Sequence, residues 1–142
     1  AYNSNPNHPF VLWIYGRILL RYGNLESGIK ILEQLYEREP IPMSDINTDR
    51  MNRELFLAYY LDKDYKKCEE TFNKINECTF REWLINIDIK IKQNKNYAKD
   101  NWFVSGIERF NNLDKEKEIS LFHLNNKFIS NELKNLSQKV FA

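Results

Sequence analysis

Two cysteines and two histidines have the widest chemical repertoire in this chain, and their spacing argues against a shared site. Cys68 and Cys78 are followed by no second cysteine pair, and His8 and His123 lie far from them and from each other. A closed zinc site needs four converging donors, so no metal site is expected. Two buried helical thiols are expected instead of a disulfide, which points to an intracellular, cytoplasmic setting. The carboxylates are equally undemanding. Glu69-Glu70 and the Asp114, Glu116, Glu118 series suit solvated helix faces or first turns. No G-x-S-x-G, H-E-x-x-H, P-loop or dinucleotide fingerprint occurs. The expectation is a chain with no catalytic residue, no cofactor and no small-molecule substrate, and hence not an enzyme.

Composition narrows the class further. The 142 residues are 42% hydrophobic and 29% charged, which fits one folded domain over residues 1–142 and excludes a disordered chain. No apolar run reaches the roughly 18–20 residues of a membrane span. The best stretch, Val11–Leu20, is interrupted by Gly16 and Arg17. A net charge of +1 supplies no overall field for capturing nucleic acid, so any basic site must be local. The opening Ala1-Tyr2-Asn3 carries neither an initiating Met nor a signal-peptide pattern, as expected of a piece of a longer protein or of a processed N-terminus.

Four glycines and four prolines leave room for long helices joined by short turns. Apolar residues recur at helical spacing over Pro9–Tyr22, and Gly23-Asn24, both tolerant of the left-handed conformation, end that run. Leu25, Ile29, Leu32 and Tyr36 mark a second helix, stopped by Pro40-Ile41-Pro42. Ser44 or Asp45 can cap a third, running to Leu61. Asp62-Lys63-Asp64 turns the chain into a fourth over Tyr65–Ile75. Thr79 caps a fifth, with Glu82 placed for a capping box. Tyr97–Phe110 makes a sixth, and Asp114 starts an amphipathic stretch to Val140. The alternating segment Ile85–Lys92 carries a strand signal. With no second strand to pair with it, a helix buried on two sides is the expectation.

The first helix pair resembles the tetratricopeptide repeat family. Leu12, Tyr15, Gly16 and Leu19 fall on that family's W, L, G and Y places, Gly23 on its turn glycine, Gly28 on its small residue and Pro40 on its closing proline. Small residues at Gly16 and Gly28 would let the two helices approach closely. The second pair keeps Leu55, Tyr59, Cys68 and Phe72 but has Phe56 and Lys63 for the two glycines, and the third keeps mainly the apolar rhythm. The resemblance implies an all-α antiparallel helix-pair solenoid of about three repeats, near residues 9–42, 46–78 and 79–112. A C-terminal amphipathic helix over 114–141 would cap it, or dock onto a partner.

In that family the first helix of each pair lines a concave groove. Carried onto this sequence, the groove would present Phe10, Trp13, Arg17 and Arg21 from the first repeat, and Arg50, Arg53, Leu57 and Tyr60 from the second. The matching ligand is a peptide or partner helix with carboxylates beside apolar anchors. The implied function is a non-catalytic protein-interaction scaffold, with no membrane partner. Two alternatives are an accessory domain of an enzyme, such as a glycosyltransferase or a peptide-sensing regulator, and, ranked below it, an RNA-binding helical repeat.

Overall fold

Helix α1 (Pro9–Tyr22) opens on a proline, whose missing N–H would be unsatisfied in a first turn anyway. Helix α2 (Leu25–Tyr36) is capped by Asn24, whose Oδ1 accepts from the Ser27 N–H at 3.1 Å. The intervening turn does not use the left-handed backbone expected of Gly23-Asn24. Asn24 stays extended at φ −96° because its side chain is capping, and none of the glycines has positive φ. The computed structural model describes residues 9–37, 48–111 and 127–141, and among these every regular element is a helix, with no strand. The chain forms two compact units, Ala1–Asn76 and Glu77–Ala142.

In the first unit α1 packs on α2, and α3 (Thr48–Leu61) packs on both α2 and α4 (Tyr65–Phe72). Gly16 and Gly28 make the α1–α2 crossing close. A Cβ on Gly28 would lie 3.0 Å from both the Gly16 carbonyl oxygen and the Leu20 nitrogen, so backbone meets backbone there. Leu32 and Leu35 on α2, Met51 and Phe56 on α3 and Cys68 on α4 are fully buried in this unit. Each large apolar side chain of this kind contributes about 1.5–3 kcal/mol relative to exposure. The expected caps Ser44 and Asp45 lie outside the described residues. Helix α4 ends at Phe72 instead of Ile75, because Lys74 and Ile75 donate to Thr71 and Phe72 in a tighter turn.

Lys63 closes α3 in the left-handed region, φ 63°. Its N–H reaches the Tyr60 carbonyl at 3.1 Å, and the Asp64 N–H reaches Tyr59 at 2.9 Å, the paired bonds that satisfy a helix C-terminus. Asn94 does the same after α5 (Phe80–Lys92), with φ 55° and Lys95 donating to Lys90 at 2.9 Å.

In the second unit α5 packs on α6 (Asn101–Phe110) and on α7 (Lys127–Val140). The Thr79–Glu82 capping box is present in both directions, at 3.2 Å and 2.8 Å. It starts a helix through the alternating isoleucines, with Ile85, Ile87 and Ile89 all buried. Alternation misleads here because α5 is buried around most of its circumference, Glu82 and Asn86 included. Helix α6 begins at Asn101 rather than Tyr97, after a turn in which Asp100 donates its N–H to the Tyr97 carbonyl. Trp83 anchors the unit: its ring lies 5.4 Å from Phe110, 5.6 Å from Phe103 and 5.7 Å from Phe141, and its Nε1 donates to the Trp102 carbonyl at 3.2 Å. Gly106 lies directly against that indole, with no room for a Cβ.

Candidate functional site

The four arginines singled out by the sequence sit on α1 and α3 of the first unit, and the structure groups three of them. Arg17 and Arg21 are one turn apart on α1, and both donate to the same carboxylate oxygen of Glu54 on α3, at 3.0 and 2.9 Å. Arg21 also reaches the Arg17 carbonyl at 3.4 Å, which holds the two guanidiniums side by side. The Trp13 ring lies beneath this cluster, with the guanidinium carbon of Arg17 at 5.2 Å from its centroid and that of Arg50 at 5.8 Å. Arginine over indole is a favourable cation–π arrangement, and the aromatic wall reduces screening of the charges above it.

Arg53 is used differently. Its Nε donates to Asp49 Oδ2 at 2.8 Å and its Nη2 to the Asn76 carbonyl at 2.5 Å, while the Asn76 N–H donates to Asp49 Oδ1 at 3.1 Å. This clasp ties the start of α3 to the segment after α4. Burial acts to raise the Asp49 pKa, but the Arg53 hydrogen bond, the Asn76 N–H and the Arg53 charge together hold it below the ordinary value. Arg17 and Arg21 together set two positive charges against the single negative charge of Glu54.

The apolar residues expected beside the arginines divide in two. Phe10 is exposed and Leu57 half-buried, whereas Trp13 is only 3% exposed and Tyr60 is buried as well. Trp13 therefore supports the arginines from below and is not presented as an anchor to a ligand. Helical periodicity could not separate these two roles, because Phe10 and Trp13 are three residues apart on α1, as Leu57 and Tyr60 are on α3.

Sequence reasoning missed a second constellation, a cleft of about 210 Å³ between α2, α3 and α4. Tyr59 donates its hydroxyl to Glu33 Oε2 at 2.5 Å, and Lys67 Nζ lies 3.3 Å from the same oxygen. Burial, then the Glu33 hydrogen bond and charge, push the Tyr59 phenol far above its usual range, and Glu33 likewise raises Lys67. A phenol so disfavoured as an anion is a poor general base. The triad reads as a cross-brace of three helices. Glu33 lies on α2, Tyr59 on α3 and Lys67 on α4, so nothing in the spacing joined them.

Neither cysteine is in a disulfide; Cys68 is buried in α4 and Cys78 half-buried before α5. Burial, with the charges of Asp64 and Glu69, pushes the Cys68 thiol up to about 12. His8, His123, Asp114, Glu116 and Glu118 lie outside the described residues. Among the described residues, no cluster of His, Cys, Asp or Glu is placed to hold a metal, and no helix is long and apolar enough to cross a membrane. Comparison with known protein families, curated proteins and solved structures returns no match to this chain.

Proposed function

We propose that this chain is a non-catalytic protein-interaction module of tetratricopeptide-like helix pairs, working in the cytoplasm. Its α1/α3 face binds a peptide or partner helix that sets carboxylates beside apolar side chains. The carrying observation is the shared carboxylate: Arg17 and Arg21 divide Glu54 between them while Arg50 stands over the same indole. Two guanidiniums on one acid leave positive charge for a second carboxylate to meet. Glu54, held at 2.9–3.0 Å, is the local precedent for how an acid is gripped there. The close Gly16–Gly28 crossing and the pairing of α1 with α2 and α3 with α4 also fit such repeats.

The test is fluorescence anisotropy with a labelled peptide alternating glutamate with leucine and phenylalanine. Wild type is expected to bind it in a salt-sensitive manner. Arg50→Glu, an exposed change, is expected to weaken binding about 10–100-fold, since hydrogen bonds to charged groups contribute about 1.5–3 kcal/mol. Arg50→Glu binding as well as wild type would overturn the assignment. A preference for single-stranded RNA over the peptide would favour the RNA-binding alternative instead.

A further inference from the structure

Helix α1 carries a second face, next to the arginines and chemically unlike them. Of the large apolar side chains that the described residues expose, most belong to this one helix: Phe10 (38% exposed), Ile14 (40%), Tyr15 (36%), Ile18 (51%) and Tyr22 (79%). Phe10, Ile14, Ile18 and Tyr22 are each four residues apart, so they form one continuous ridge of the kind that packs into a neighbouring helix. The only charged residues of α1 are Arg17 and Arg21, and both turn to Glu54 on α3. The ridge itself is uncharged for its whole length.

We infer that this ridge pairs with the same ridge of a second copy of the chain, α1 against α1 in antiparallel orientation about a two-fold axis. The spacing is self-complementary. An axis level with Gly16 sets Ile14 opposite the second copy's Ile18, and Phe10 opposite its Tyr22. Aliphatic side chains then meet at the centre, where the helices are closest. The longer aromatic ones meet at the ends, where crossed helices diverge. No like charges are brought face to face, because Arg21 falls opposite Val11, and antiparallel helix dipoles oppose each other favourably. The five side chains expose on the order of 500 Å², judged from the 150–250 Å² of a whole aromatic side chain. With their rim they approach the roughly 800 Å² per partner of a standard interface, from the small side. A two-fold pair is also the commonest symmetric assembly.

Sedimentation equilibrium from micromolar to millimolar protein tests the pairing. Wild type is expected to shift from monomer to dimer with concentration. Ile14→Asp and Ile18→Lys, both at exposed positions, are each expected to weaken self-association at least tenfold while helicity stays unchanged. Mixed together they are expected to recover it, because Asp at 14 then meets Lys at 18 while Ile18 meets Ile14. Wild type that stays monomeric overturns the inference, as does an Ile18→Lys variant that dimerises like wild type. A mixture that fails to recover overturns the antiparallel register. The peptide assay on the Ile18→Lys monomer separates the two faces: retained peptide binding leaves the arginine face standing whichever way self-association falls.

Discussion

Replacing Gly28 by alanine tests the close α1–α2 crossing on which the first unit is built. The new Cβ would lie 3.0 Å from the Gly16 carbonyl oxygen, 3.0 Å from the Leu20 nitrogen and 2.9 Å from Leu20 Cδ2. The first two are backbone atoms inside α1, so relief requires the whole helix to move by several tenths of an ångström. Overpacking of that kind costs about 1–3 kcal/mol. Alanine's better helix propensity offsets about 1 kcal/mol of it. The net expectation is a loss of up to about 2 kcal/mol, or a fall of up to roughly 15 °C in Tm for a unit of this size. Gly16→Ala is the internal control. Its Cβ would meet only the Leu32 side chain, at 2.9 and 3.1 Å, and Ile31 Cγ2 at 3.3 Å, groups that can rotate or shift. It is expected to cost about 1 kcal/mol less than Gly28→Ala. Urea unfolding followed by far-ultraviolet circular dichroism reads both variants, with an unchanged slope confirming that stability alone has altered. A Gly28→Ala protein at least as stable as wild type would refute the close crossing, and so would a reversal of the order.

In the second unit, Gly106→Ala drives a Cβ into the Trp83 indole, and a loss of about 1–3 kcal/mol is expected, with a changed near-ultraviolet spectrum. Lys63→Gly is expected to stabilise the chain by about 1 kcal/mol in thermal unfolding, because it removes a Cβ from a left-handed residue at φ 63°. With its thiol pushed up to about 12, Cys68 is expected to resist alkylation at pH 8 in the native state, where only about one molecule in 10⁴ carries the thiolate, and to react after denaturation. The lowered Asp49 pKa gives the Arg53 clasp a definite sign. Its contribution is complete above the ordinary value of 3.8 and is lost as pH falls through the lower folded value. Asp49→Asn is expected to remove that part of the acid sensitivity in an acid-unfolding titration.

What could be read from the sequence was whatever depends on neighbours along the chain. Thr79 and Glu82 are three residues apart, so their capping box was legible, and the lack of a second strand to pair with decided α5 against the alternating isoleucines. The small residues Gly16 and Gly28 marked a helix crossing through the spacing of one hairpin. Lys63 shows where such reasoning stops. It replaces a glycine of the repeat pattern yet takes the left-handed backbone, whereas Gly23, which matches the pattern, does not need it. The site was less legible because its partners come from separate helices. Glu54 joins Arg17 across 37 positions and Tyr59 joins Glu33 across 26, and no periodicity connects such residues. Arg50 likewise comes over Trp13 from a separate helix, α3.

The most direct measurement of the central claim is a nitrogen–proton correlation spectrum of the arginine side chains during titration with the glutamate-rich apolar peptide. The Nε–Hε signals of Arg17, Arg21 and Arg50 are expected to shift together and saturate at one dissociation constant. The Nε–Hε signal of Arg53, held in its clasp by Asp49 and Asn76, is expected to move little. Shifts confined to backbone signals of the α2/α3/α4 cleft around Glu33, Tyr59 and Lys67, with the three arginines unmoved, would contradict the claim.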